Sequence, residues 1–263
     1  MVHHVKFLIS SKNNIFSGTN PVKLPLNNIG NDCRIVRIVI KSASIPNVFY
    51  NVRDNINNKL FVGDGVENVY LITIPEGQYT LTQLLDYLNA QPAFLNTGAN
   101  LTFNAQLNKI ITNNPTIFNF EYFGIFGPNS PNNKIISGCY ELLGLTSGVN
   151  YSFPTGANLH PNICDLSGIK NVYVNCSFSK LNAIETKGYR DLGGIVPMDV
   201  PFGAVKTYLN QEQALDIIQR DPTYSQNLTD PEITLTDIDG NLLNTNGVNW
   251  EMCFKIYHAE GED

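Results

Sequence analysis

Apolar and polar residues alternate with a period of two along most of the chain. In residues 250–257, Trp250, Met252, Phe254 and Ile256 fall on one side, and Glu251, Cys253, Lys255 and Tyr257 on the other. Val172, Val174, Cys176 and Phe178 repeat the pattern, as do Phe118, Phe120 and Tyr122, and Val36, Ile38 and Ile40. Successive side chains of a strand point to opposite faces, so each run predicts a strand with one buried face. Segments 67–74, 99–105, 108–112, 202–209 and 231–236 read the same way. That makes roughly nine strands, punctuated by Gly, Pro, Asn and Asp. Strands with one apolar face bury it against another sheet, so the expected class is all-β, an antiparallel sandwich or barrel.

One stretch departs from this period. In YTLTQLLDYLNAQP, Leu81, Leu84, Leu85 and Leu88 recur at helical spacing. Thr80 and Gln83 stand where a capping box needs them, and Pro92 follows the end. Shorter helices are expected at 138–145 and at 211–219. In DIDGN, Asp239-Gly240 predicts a two-residue hairpin turn. It does not match a calcium loop, because Gly240 and Val248 occupy the wrong positions of the twelve-residue pattern.

Residues 1–30 are rich in Asn, Ser, Gly and Pro and are expected to form a partly extended N-terminal arm with a short strand near Val5–Ile9. Residues 31–263 then read as one domain, with a loop-rich insertion around 125–170. Within it, SASIPNVFYNV (42–52) is a strand exit. Pro46 cannot donate to a sheet ladder and holds Ile45 extended. Small Ser42, Ala43 and Ser44 permit close approach of a neighbouring strand or subunit. Phe49 and Tyr50 follow as large anchors, and Pro46, Phe49 and Tyr50 are therefore the candidate corner or subunit-contact residues.

Composition narrows the function. Charged residues are only 15% of the chain, well under the usual quarter. Neutral polar residues replace them, above all 35 asparagines. A net charge of −6 without a basic block argues against direct nucleic-acid binding. The five cysteines (Cys33, Cys139, Cys164, Cys176 and Cys253) are widely spaced with no C-x-x-C pair, and Cys176 and Cys253 read as reduced core thiols. MVHHVKFLIS lacks the apolar core of a signal peptide, and no run approaches the ~18 apolar residues of a membrane span.

Candidate chemistry is sparse. His3, His4, His160 and His258 sit at the two ends and in a Pro-rich loop, not in a pattern that would converge on a metal or a triad. No nucleophile elbow, zincin, phosphate-loop or dinucleotide motif is present. The expectation is no catalytic residue, no metal site and no cofactor. The aromatic residues fall mostly on the core faces of strands. An aromatic sugar-binding surface is the alternative to core packing.

Several stretches taken in order resemble a known family. They are ASIPNVFYNV, then VYLITIPEGQYTLTQLLDYLNAQ, YELLGL before IKNVYVNCSF, IVPMDVPFGAVKTYLN, and ITLTDIDGNLLNTNGVNWEMCFKIYH. This series is similar to the small single-jelly-roll capsid proteins of virophages, polinton-like viruses and Polinton-type transposons, over about residues 33–258. The resemblance implies a penton, or minor capsid, protein of an icosahedral double-jelly-roll virus. Such a protein forms homopentamers at the five-fold vertices, beside a major double-jelly-roll capsid protein, in virions assembled in the host cytoplasm or a viral factory. At 263 residues the chain is short for two complete jelly rolls, which favours the vertex protein over the major one. The alternating pattern agrees: eight or more antiparallel strands in two sheets, with one or two short helices, fit a jelly-roll sandwich. A carbohydrate-binding jelly-roll module and a virion spike or cement protein are the alternatives.

Overall fold

A computed structural model describes residues 2–10, 22–23, 33–65, 68–122, 138–176, 182–185, 188–209 and 232–260. The chain begins with β1 (Val2–Ser10), β2 (Val22–Lys23) and β3 (Cys33–Pro46). It continues through β4 (Lys59–Gly63), β5 (Val69–Thr73), α1 (Leu81–Asn89), α2 (Pro92–Thr97), β6 (Asn100–Asn104), β7 (Lys109–Asn114), β8 (Phe118–Glu121), β9 (Tyr151–Phe153) and β10 (Gly156–Leu159). It ends with β11 (Asn171–Cys176), β12 (Asn182–Glu185), β13 (Gly188–Pro197), β14 (Val205–Leu209), β15 (Glu232–Thr236) and β16 (Glu251–Glu260). These elements form two compact units, Met1–Phe49 with Ile169–Asp263, and Tyr50–Gly168.

The first unit is a two-sheet antiparallel sandwich. One sheet has the order β1-β16-β3-β14, the other β12-β13-β11-β15-β2. Setting aside β12, which extends β13 as a hairpin, the strands in chain order give 1-8-3-6 and 5-4-7-2. The neighbours 1–8, 2–7, 3–6 and 4–5 are the pairs of one long antiparallel hairpin rolled into two sheets. That is the connectivity of a jelly roll, and it bears out the expected fold class.

Alternation explains the packing of this unit. Trp250, Met252 and Phe254 are at most 1% exposed, while Glu251 between them faces solvent. They share a core with Ile40, Ala43 and Ile45 of β3, Val172 and Val174 of β11, Val196 of β13, and Ile233 and Leu235 of β15. Ile40 and Ala43 are three residues apart, so a regular strand would put them on opposite faces. The register slips between them, pairing Cys253 with Ser42 but Phe254 with Ile40. Lys41 is the extra residue of a β-bulge, which keeps both apolar faces turned inward. Cys253 is half-buried on the face opposite Met252 and Phe254, so it is not the core thiol expected from the sequence.

The turn at Asp239-Gly240 is present but longer than expected. The Gly240 N–H donates to the Asp237 carbonyl and the Asp237 N–H to the Asn241 carbonyl, leaving Ile238, Asp239 and Gly240 between. Gly240 adopts φ 83°, the left-handed position that closes a three-residue hairpin loop. The nearly buried Asp237 carboxylate explains the extra residue: it accepts from the N–H groups of Asp239 and Asn241 and from Asn241 Nδ2.

The second unit holds a sheet β5-β4-β8-β9, a sheet β10-β7-β6 and both helices. Its core joins Leu60 and Val62 of β4, Leu84, Leu85 and Leu88 of α1, Phe94 of α2, Ile110 of β7 and Phe118 and Phe120 of β8. The predicted capping box is formed: the Gln83 N–H donates to Thr80 Oγ1 at 3.3 Å and the Thr80 N–H to Gln83 Oε1 at 2.9 Å. Asn89 ends α1 by pairing with Leu101 as a strand would, accepting from its N–H at 2.7 Å and donating to its carbonyl at 2.9 Å. The helix expected at 138–145 is a single 3-10 turn, Glu141–Leu143, stopped by Gly144 at φ 72°. The helix expected at 211–219 lies outside the described residues.

The division of the chain differs from the sequence expectation. Within 1–30, β1 and β2 are strands of the roll, and β1 pairs with β16 along its whole length. The interruption of the roll runs over 50–168, between its third and fourth strands, rather than over 125–170. Period-two alternation marks strands but not the sheet each one joins, and the inserted unit has strands of its own. Within 125–170, residues 125–137 are outside the described set.

Candidate functional site

The stretch 46–52 passes from one unit to the other, and each part is anchored in its own unit. In the roll, Pro46 is buried at the end of β3, opposite Val205. The Asn47 N–H donates to the Ala204 carbonyl at 2.8 Å, and the Asn47 carbonyl accepts from Gly203 at 2.7 Å. Asn47 Nδ2 donates to the Val200 carbonyl and Asn246 Nδ2 to the Val48 carbonyl. Phe49 then enters the roll core and is 3% exposed. A missing proline donor costs nothing here, because the ladder is taken over by Asn47 one residue later.

In the second unit Tyr50 is half-buried and Asn51 is 2% exposed. Asn51 Oδ1 accepts from the Tyr79 N–H at 2.9 Å, and its Nδ2 donates to the carbonyls of Tyr79 and Leu166. Its backbone N–H donates to Gln78 Oε1, and its carbonyl accepts from Asn57 Nδ2. One asparagine thus ties the first residues of the inserted unit to its last. The periodicity of the sequence carries no signal for this residue; only its position after an aromatic pair singles it out.

Among the described residues no three His, Cys, Asp or Glu side chains gather where a metal could bind. His160 is fully buried in the second unit. Its Nδ1 lies 2.7 Å from the Leu143 carbonyl and its Nε2 2.8 Å from Thr112 Oγ1. A carbonyl only accepts, so Nδ1 carries the proton and Nε2 accepts from the threonine hydroxyl. Burial pushes its pKa down to about 4, against the pull of the Leu143 carbonyl. The Cys139 and Tyr140 protons are held far above their ordinary range by burial, which leaves both groups neutral. An open groove of about 380 Å³ is lined by Gly98, Asn100, Asn113, Asn114, Pro115 and Gly156 with Ala157. No aromatic residue lines it, so it lacks the stacking platform of a sugar site. Asn114 is already committed there, donating to the carbonyls of Thr116, Phe153 and Pro154.

The outer face of the sheet β1-β16-β3-β14 carries a different feature. Leu8, Cys253, Ser42 and Leu209 align in one row across its four strands. Leu8 is 75% and Leu209 63% exposed, and Val205 is 54% exposed further along β14. Small side chains occupy the middle of the row and large apolar ones its ends.

No protein-family model and no curated protein matches the chain. Among solved structures, the chain is similar to the mavirus penton protein, with a TM-score of 0.45 and 8% identity over 98% of this chain and 100% of that one. It is also similar to a chain of the Sputnik virophage, with a TM-score of 0.42 and 14% identity over 98% of each chain. No helix among the described residues is long and apolar enough to cross a membrane.

Proposed function

We propose that this chain is a structural capsid protein: a single jelly roll, with a second unit inserted between its third and fourth strands, that forms homopentamers at the five-fold vertices of an icosahedral particle. Its neighbours in the virion are further copies of itself and a major double-jelly-roll capsid protein. It contacts no nucleic acid directly and performs no catalysis. The observation that carries this reading is the strand order 1-8-3-6 and 5-4-7-2, found in a chain whose ordered motifs resemble the penton proteins. Since one fold serves many functions, the surface must also suit the role. The row Leu8–Cys253–Ser42–Leu209 supports it, because small central residues admit a neighbour closely and apolar ends are covered on contact. A ring contact is head-to-tail, so this face would meet a different face of the next copy. Native mass spectrometry of the full chain tests the proposal. The expected species is five times the 29.2 kDa chain. A stable monomer at high concentration sinks the assembly role, and a trimer reassigns the chain to another minor capsid position.

A further inference from the structure

We propose that His160 is an acid-sensitive latch of the inserted unit, whose protonation loosens that unit while the jelly roll stays folded. Three pieces of chain meet at this imidazole. Thr112 belongs to β7, Leu143 to the 3-10 turn, and His160 itself follows β10. The rings of Phe120 and Phe153 each lie 5.5 Å from the imidazole, so its surroundings are apolar except for its two hydrogen bonds. The His160 N–H also donates to the Ile110 carbonyl, which places the ring over the middle of β7.

Protonation disrupts this arrangement in a defined way. A proton on Nε2 turns an acceptor into a donor. The Thr112 hydroxyl can rotate to accept it, but a full charge then sits in a buried, aromatic surround. The influences on its protonation are burial and the Leu143 carbonyl, neither of which neutralises a charge. The charged residues on the surrounding elements are Lys109 of β7, Glu121 of β8, Glu141 of the 3-10 turn and Asp165 beyond the loop. Lys109 Nζ donates to the carbonyl of Pro161, the next residue after His160, which holds a charge of the same sign as the new one against this segment. Glu141 and Glu121 lie toward the surface, at exposed and half-buried positions. A water-filled exit is therefore the cheaper response: the ring leaves, and the segments 138–147 and 158–166 that it ties to β7 loosen.

The direction in pH follows from linkage. A histidine held neutral in the folded unit binds fewer protons than in the unfolded chain. Its contribution to stability is complete above the ordinary value of 6.5 and is lost as the pH falls from there through about 4. His160 is buried, and it lies in the inserted unit.

Hydrogen exchange with mass spectrometry on the full chain tests the proposal, at steps from about pH 7 to about pH 4 with correction for intrinsic exchange. Peptides covering 108–114, 138–147 and 158–166 should lose protection first, while those covering 171–176, 232–236 and 250–254 keep theirs. His160→Gln should flatten that response. Thr112→Val removes a hydrogen bond that holds the ring in its buried position and should move the loss of protection to higher pH. Simultaneous loss in both units would overturn the latch, as would an unchanged pH response in His160→Gln. If that variant does not fold, Thr112→Val decides: an unmoved or lowered transition rejects the proposal.

Discussion

Phe49 gives the most direct test of how the strand exit works. Its ring is 3% exposed and shares a core with Trp250, Ile45 and Met198. Truncation to alanine removes a buried ring from a packed interior, at a typical cost of about 3–5 kcal/mol. Whole domains are stable by only about 5–15 kcal/mol, so this loss is a large fraction of the roll's total. With a urea dependence of about 2 kcal/mol/M, the midpoint should fall by about 2 M. The protein carries its own reporter for this measurement. Trp250 is the only tryptophan and is fully buried in the same core, so its fluorescence follows the roll alone. Far-UV circular dichroism follows both units. Phe49→Ala should lower the fluorescence midpoint and leave the dichroism amplitude of the inserted unit in place. A fluorescence midpoint equal to the wild-type value refutes the core assignment. If the oligomer dissociates while that midpoint is unchanged, the ring anchors a subunit contact instead.

Residues 50–168 should fold alone, giving dispersed amide resonances and one cooperative melt, because they own a separate core and Asn51 joins their two ends. In that fragment Asn51→Ala should cost about 1–3 kcal/mol, since it strands the partly buried N–H and carbonyl of Tyr79, and an unchanged thermal midpoint would contradict this. Gly144→Ala should destabilise the same unit by more than about 1–2 kcal/mol. Gly144 has a left-handed backbone, and an added Cβ would overlap the Asn162 carbonyl. A fragment melt within error of the parent would show that the loop yields more easily than its packing suggests.

Much of this architecture is legible in the sequence, but unevenly. The strands at 99–105, 108–112 and 231–236 follow from alternation alone, and α1 follows from its leucine stripe and capping pair. These are local signals, set by one residue's neighbours along the chain. The partition into two units is not local. Val172 and Phe118 both alternate and both end up buried, yet in different cores. No property of either strand says which. The bulge at Lys41 is hidden for a related reason: it appears only as a change of parity between Ile40 and Ala43, which a reading of separate apolar faces passes over. At the strand exit the sequence indicates an anchored corner through Pro46 and its aromatic pair. It does not indicate that the two aromatics part company, Phe49 to the roll and Tyr50 to the insertion. His160 was unremarkable beside Pro161 because its partners, Thr112 and Leu143, are distant in the chain.

The abundance of asparagine also has a consequence for the environment the molecule tolerates. Asn51, Asn89 and Asn114 each join chain segments through a neutral amide that both donates and accepts. Ionic strength does not screen such a junction, whereas it weakens surface ion pairs. Amides also do not titrate, so these junctions hold the same protonation in dilute buffer, in brine and across the biological pH range. These junctions are therefore fasteners indifferent to the surrounding salt, and the segments they join stay fastened where the ionic strength around the molecule changes from one medium to the next.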